Sequence, residues 1–233
     1  MTDRTARVAQ SRLRECADPA FAAGAPRFFK AEHIAGDVFL GLRAAQLRQL
    51  AREFRDLPCA ELATLLHSRF HEERALALLV LVLQVHRADD AVRRQVYDFY
   101  RANVRGVNNW DLVDISAPAL VGGYLAERSR KPLYSLAKSA NLWERRIAIV
   151  ATQHFIRLND FADTLQVSQR LLTDPQDLIH KAVGWMLREV GKRDLPTLEG
   201  FLRAHAPAMP RTMLRYAIER FPEARRRAYL QGT

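Results

Sequence analysis

The chain has 233 residues, 48% hydrophobic and 27% charged, enough to bury a core and too apolar for a disordered tail. Lys and Arg number 36 against 26 Asp and Glu, and the resulting +10 favours a polyanionic partner, nucleic acid before an anionic membrane. Only Lys30, Lys131, Lys138, Lys181 and Lys192 are lysines, so part of this Arg-rich balance can reflect genome composition.

Glycine and proline are both absent from 59–105 and from 133–174, which excludes the closely spaced turns of a sheet protein. Residues 1–25 predict an N-terminal helical segment without the apolar stretch of a signal peptide. Residues 39–54 set Leu40, Leu47, Leu50 and Phe54 on one stripe and predict a helix. Helical periodicity returns near 58–68, 72–86, 90–103, 110–126, 132–139, 142–157, 161–172, 176–191, 195–204 and 210–221. Breaks are expected at Pro58, Gly106, Pro118, Pro132, Pro175, Pro196 and Pro207, and 223–233 reads as a frayed tail carrying Arg225-Arg226-Arg227. The expectation is a single all-α domain over 1–233. Cys16 and Cys59 are isolated thiols, which fits a reducing cytoplasm. The longest apolar run, Leu76 to Leu83, falls far short of the ~18–20 residues that span a bilayer.

The helices repeat. Anchored on Arg146, steps of 34–36 residues reach Arg74, Trp110, Lys181 and Arg215, and most of these open similar stretches such as Arg146-Ile-Ala-Ile-Val and Lys181-Ala-Val-Gly-Trp. Two-helix units of that length are the mark of an α-solenoid of HEAT-like type. One turn after each anchor come Leu78, Asp114, Val150, Trp185 and Glu219. Stacked along a concave face, these positions would form a basic groove with interleaved aromatics, suited to a nucleic-acid backbone.

Asn108-Asn109-Trp110-Asp111-Leu112-Val113-Asp114 brings two acids close together. With Asn109 as N-cap, Asp111 falls in the first turn, where the helix dipole accounts for a carboxylate. Asp114 lies beyond that reach, on the Trp110 face, and calls for an ion pair with Arg146 or a part in a reaction. Trp110 and Trp185 taken singly read as core aromatics, whereas their shared register with Arg146 and Asp114 argues for binding. Trp143 reads as packing. His67 and His71 are spaced i,i+4, yet no third ligand for zinc lies nearby. Residues 188–227, from Arg188 through Arg215, hold ten basic and five acidic side chains, either a solvated face or a surface for DNA phosphates.

The run Trp110-Asp-Leu-Val-Asp114-Ile-Ser-Ala-Pro118 resembles the AlkD-type DNA alkylation repair glycosylases. So do Arg146 in Trp-Glu-Arg-Arg-Ile-Ala-Ile, Trp185 in Lys181-Ala-Val-Gly-Trp-Met-Leu-Arg-Glu189, Gly36-Asp-Val-Phe-Leu-Gly-Leu-Arg43 and His71-Glu-Glu-Arg-Ala-Leu76. The similarity runs from about residue 28 to 220. It implies a HEAT-like superhelix that releases cationic N3- or N7-alkylated purines from duplex DNA, with no cofactor. It further implies that Asp114 is the catalytic Asp, that Trp110 and Trp185 are aromatic contacts and that Arg146 is the key arginine. The family's early aromatic would fall on Phe28, and where that position is a Tyr this chain lacks the hydroxyl.

An N3- or N7-alkylated purine already carries positive charge and leaves without a general acid. What remains is the oxocarbenium character of the deoxyribose, which one carboxylate can stabilise while orienting water. A single Asp is therefore sufficient. Lys181, Arg188 and Arg215 are expected to meet the DNA backbone, and a monomer suffices. A solenoid groove offers no obvious base pocket, so selection is expected to follow leaving-group ability rather than shape. Two other readings stay open at this point: a non-catalytic scaffold for a protein partner, and a DNA-binding paralogue without excision.

Overall fold

The computed structural model describes residues 5–232; the extreme ends of the expected N-terminal segment (1–4) and of the tail (Thr233) lie outside them. The described residues are helical apart from turns and one isolated parallel bridge, Val38 with Phe70. The chain divides into two compact units, 1–116 and 117–233.

The first unit holds α1 (Ala6–Glu15), α2 (Pro19–Gly24), α3 (Ala44–Glu53), α4 (Cys59–Leu66), α5 (His71–Val85), α6 (Asp90–Ala102) and most of α7 (Trp110–Ala117). Its centre is α5, buried from His71 to Leu78 on every face, as a helix must be when α1, α3, α4 and α6 all pack on it. Three charged residues in its first turn are buried because each has a partner. Glu73 accepts from Gln10 of α1 at 2.8 Å and forms an ion pair with Arg14 at 3.1 Å. Glu72 accepts the backbone N–H groups of Leu40 and Gly41 at 2.9 and 2.8 Å. Arg74 donates to Asp37 (2.5 Å) and to the Ser68 carbonyl (2.8 Å).

The helix expected from residue 39 begins only at Ala44. Glu72 captures the preceding N–H groups, and Gly41 turns the chain at φ +84°. A Cβ on Gly41 would sit 2.1 Å from the Asp18 carbonyl oxygen, so only glycine fits there.

The second unit holds α8 (Gly123–Leu125), α9 (Lys131–Leu136), α10 (Leu142–Ala151), α11 (Gln153–Arg157), α12 (Ala162–Arg170), α13 (Asp177–Arg193), α14 (Leu195–His205), α15 (Arg211–Ala217) and α16 (Glu223–Gln231). Pro118 does not break the chain as expected. It opens a π-type turn, Pro118–Gly122, in which the Gly123 N–H bonds the Pro118 carbonyl, and helical dihedrals continue into α8. Residues 223–231, expected to fray, form α16, with Arg225 paired to Glu199 and Arg227 to Glu223.

The backbone of the second unit is organised by α13, which packs on α10, α12, α14 and α15. Ile179, Val183, Met186, Leu187 and Val190 line its inner stripe and are fully buried, each contributing about 1.5–3 kcal/mol. Gly184 lets α15 approach so closely that a Cβ would stand 2.4 Å from the Met213 carbonyl oxygen.

Candidate functional site

The N-terminal end of α7 is built from four elements of the first unit. Asn109 is buried and caps the helix: its carbonyl accepts from Val113 (3.1 Å) and its side-chain oxygen from the Trp110 N–H (2.8 Å). Trp110 is half-buried, and its indole N–H donates to the Phe28 carbonyl at 3.3 Å. Its ring lies 5.8 Å from that of Phe29, which stacks on Phe39 at 5.4 Å and tilts against His71 at 5.2 Å. The ring in this cluster is therefore Phe29. Phe28, the expected early aromatic, contributes its backbone and leaves its side chain 57% exposed beside the Arg27 guanidinium.

The two acids of α7 have different surroundings. Asp111 receives the His71 Nε2 hydrogen bond at 2.7 Å with one oxygen and the Leu112 N–H at 2.9 Å with the other. The Nδ1 face of His71 meets Asp37 at 3.5 Å, and Asp37 in turn holds Arg74. Burial alone would strip the proton from His71, but Asp111 and Asp37 carry its pKa up to about 9. Burial alone would raise Asp37 as well, yet hydrogen bonds from His71 and Arg74 leave it below the usual carboxylate range. Asp111 is thus more than a first-turn carboxylate favoured by the dipole. Asp114, one turn after Trp110, is half-buried on the Trp110 face. Below it Tyr100 is fully buried and shares its hydroxyl with Ser116 at 3.1 Å; burial pushes that phenol upward, and the Asp114 charge adds to the rise.

A cavity of about 270 Å³ opens beside the neighbouring face of α7, lined by Phe29, Phe39, Leu47, Asp111 and Ile115 among others. It faces the Asp111–Ile115 stripe, and neither Trp110 nor Asp114 lines it.

In the second unit the repeat register has a structural basis. Arg146, Lys181 and Arg215 are each the fifth residue of their helix, α10, α13 and α15, and these helices pack in succession. Their surroundings nevertheless differ. Arg146 is only 5% exposed and donates to the Leu178 carbonyl at 2.6 Å. Lys181 is partly exposed and pairs with Asp177 at 2.8 Å. Arg215 is exposed. Trp185 is half-buried, its indole N–H donating to Glu189 at 3.2 Å, and Arg188 is paired with Glu219. In the first unit the register fails: Arg74 is buried in its ion pair and Leu78 lies in the core. Val150 of the second unit is core as well, so the expected ridge is not continuous.

The sequence reading gave no site role to His71, Asp37 or Phe39, which it quoted only within runs and spacings, and it passed over Phe29. The pair His67–His71 was the visible signal, weighed as a zinc site and set aside for want of a third ligand, and His71 is committed to Asp111 and Asp37. Among the described residues no group of three or more His, Cys, Asp or Glu side chains is arranged to hold a metal ion. No helix among them is long and apolar enough to cross a membrane.

Comparison with known proteins agrees with this architecture. Residues 9–221 match the family model described as DNA alkylation repair enzyme. The chain belongs to that family. A solved structure described as "Predicted DNA alkylation repair enzyme from Enterococcus faecalis" superposes with a TM-score of 0.69 at 18% identity, covering 89% of this chain and 97% of that one. At that identity the likeness speaks for the fold: the DNA alkylation repair family chain has the same all-helical arrangement. No curated protein matched the sequence.

Proposed function

We propose that this DNA alkylation repair protein is a monofunctional glycosylase that hydrolyses the N-glycosidic bond of cationic N3- or N7-alkylated purines in duplex DNA. The observation that carries the reading is the placement of Asp114 with Trp110, one turn apart and half-exposed on one face of α7. In this mechanism the alkylated base leaves as a neutral group and positive charge develops on the deoxyribose. The Asp114 carboxylate stabilises that charge and orients the attacking water. Trp110, fixed through its indole N–H, and Trp185 offer ring faces to the sugar or the cationic base, worth about 0.5–2 kcal/mol each.

Arg146, anchored by the Leu178 carbonyl, is preorganised for the phosphate beside the lesion. Lys181, Arg188 and Arg215 meet the DNA backbone farther along the same unit, and the exposed ring of Phe28 is available to the duplex beside Trp110. A monomer carries all of these groups. The deciding assay uses a duplex containing 7-methylguanine, with binding measured in parallel. Release of free 7-methylguanine, leaving an abasic site, is the expected result. Binding without release overturns excision and leaves a damage-binding protein, and absence of both leaves a scaffold.

A further inference from the structure

His71 is buried at the start of α5, and the chemistry proposed above makes no use of it. Three charged groups face its ring. Asp111 of α7 lies 2.7 Å from Nε2, Asp37 of the segment before α3 lies 3.5 Å from Nδ1, and Arg74 of its own helix lies 3.4 Å from Nδ1. Phe29 and Phe39 pack on the imidazole at 5.2 and 5.1 Å. His71 therefore reaches the first turn of α7 by two routes. One is the hydrogen bond to Asp111, the residue after Trp110; the other is Phe29, whose ring touches both His71 and Trp110.

We propose that His71 is a positioning residue, whose protonated ring fixes the first turn of α7 and the indole of Trp110 for excision. Its effect on excision rests on the glycosylase reading; its effect on Trp110 does not. A doubly protonated ring places an N–H towards each carboxylate. Loss of the proton leaves Asp37 facing a ring lone pair and turns the bond to Asp111 from charge-assisted into an ordinary one, about half as strong. With a pKa of about 9, raised by Asp111 and Asp37 against burial and the nearby Arg74 charge, the cation persists at neutral pH.

The test follows the imidazole and the indole in the intact protein. By NMR, the His71 ring and the Trp110 indole N–H, assigned with His71→Gln and Trp110→Phe, should titrate together near pH 9. In His71→Gln the indole signal should ignore pH across that range. Single-turnover excision of 7-methylguanine should fall about tenfold in His71→Gln, the scale of a sub-ångström misplacement. The ratio of wild-type to variant rates, in which the substrate's own ionisation cancels, should drop towards one as the pH passes 9. Where His71→Gln does not fold, Asp111→Asn should lower the imidazole and indole midpoints together. An imidazole that titrates near 6.5, or an indole indifferent to it, overturns the proposal. A shared transition near pH 9 in a protein that releases no 7-methylguanine at any pH supports the positioning role and overturns the glycosylase reading.

Discussion

The charged residues that open α5 in the first unit and those at the repeat positions of the second meet different surroundings. In the first, the charged residues that open α5 turn inward: Glu72 holds the 40–42 backbone, Glu73 holds α1, and Arg74 with His71 neutralises Asp37 and Asp111. In the second, the cations at one helical register pass from buried Arg146 through half-exposed Lys181 to exposed Arg215. Equal spacing in sequence therefore does not mean equal access to a ligand. Arg74 and Arg215 share the repeat register, yet one fixes a fold and the other is open to a phosphate.

If the charges of the first unit are structural, removing one partner must cost far more than a surface pair would. Arg74→Ala leaves Asp37 buried with His71 as its remaining cation and is expected to destabilise the protein by about 3–5 kcal/mol, read from chemical denaturation. A loss under 1 kcal/mol would place Arg74 with the surface cations and erase the contrast. Asp114→Asn marks the boundary between structure and chemistry on α7. It keeps shape and much of the hydrogen bonding while removing the charge opposite the developing oxocarbenium. Single-turnover excision should fall on the order of 10²–10³-fold, about 3–4 kcal/mol, with duplex affinity unchanged or slightly higher. A folded variant that excises at the wild-type rate removes Asp114 from the mechanism.

The inward network also sets a pH dependence of stability. His71 has a folded pKa of about 9 against an ordinary 6.5, so its contribution is complete below pH 6.5 and is lost as pH rises through about 9. Unfolding free energy should decline across that interval by up to about 3 kcal/mol, and the decline should flatten in His71→Gln. Asp37 works in the other direction: its lowered pKa adds stability above the ordinary carboxylate range, which is lost as the pH falls into acid. Equal slopes for the wild type and His71→Gln between pH 6.5 and 9 would show that the network does not retain the proton.

What the sequence made legible was what short-range periodicity encodes. Apolar stripes located nearly every helix, and the 34–36-residue step from Arg146 to Lys181 and Arg215 proved to be one position on three packed helices. Trp110 and Asp114 could be placed on a common face because i and i+4 settle that without tertiary information. The partner of Asp111 could not be read in this way, since His71 lies forty residues earlier and meets it only through packing. The late start of α3 was hidden for the same reason: Glu72 competes for the 40–41 N–H groups from another helix. Pro118 was misread because it opens a π-type turn, in which its carbonyl accepts from Gly123 and the helical path continues although the proline has no N–H to give. Exposure at the repeat positions was the least legible feature, for it depends on what each neighbouring helix offers.

That last point yields the smallest expected effect and the finest discrimination. Arg215 and Lys181 occupy equivalent positions on adjacent helices, so charge counting gives them equal weight in DNA binding. The structure separates them. Lys181 is already engaged with Asp177 at 2.8 Å, and a phosphate must compete with that carboxylate, whereas among the described residues no carboxylate pairs with exposed Arg215. Each fully neutralised phosphate releases roughly one counterion, so Arg215→Ala should reduce the slope of log affinity against log salt by about one unit. Lys181→Ala should reduce it by less, because the free lysine is partly neutralised before DNA arrives. Asp177→Asn, which frees the ammonium, should then move Lys181 towards the behaviour of Arg215 and raise duplex affinity at low salt. Equal slopes for Arg215→Ala and Lys181→Ala would mean that the Asp177 pair does not restrain the lysine. Unchanged slopes for both would mean that this face of α13 and α15 does not meet the duplex.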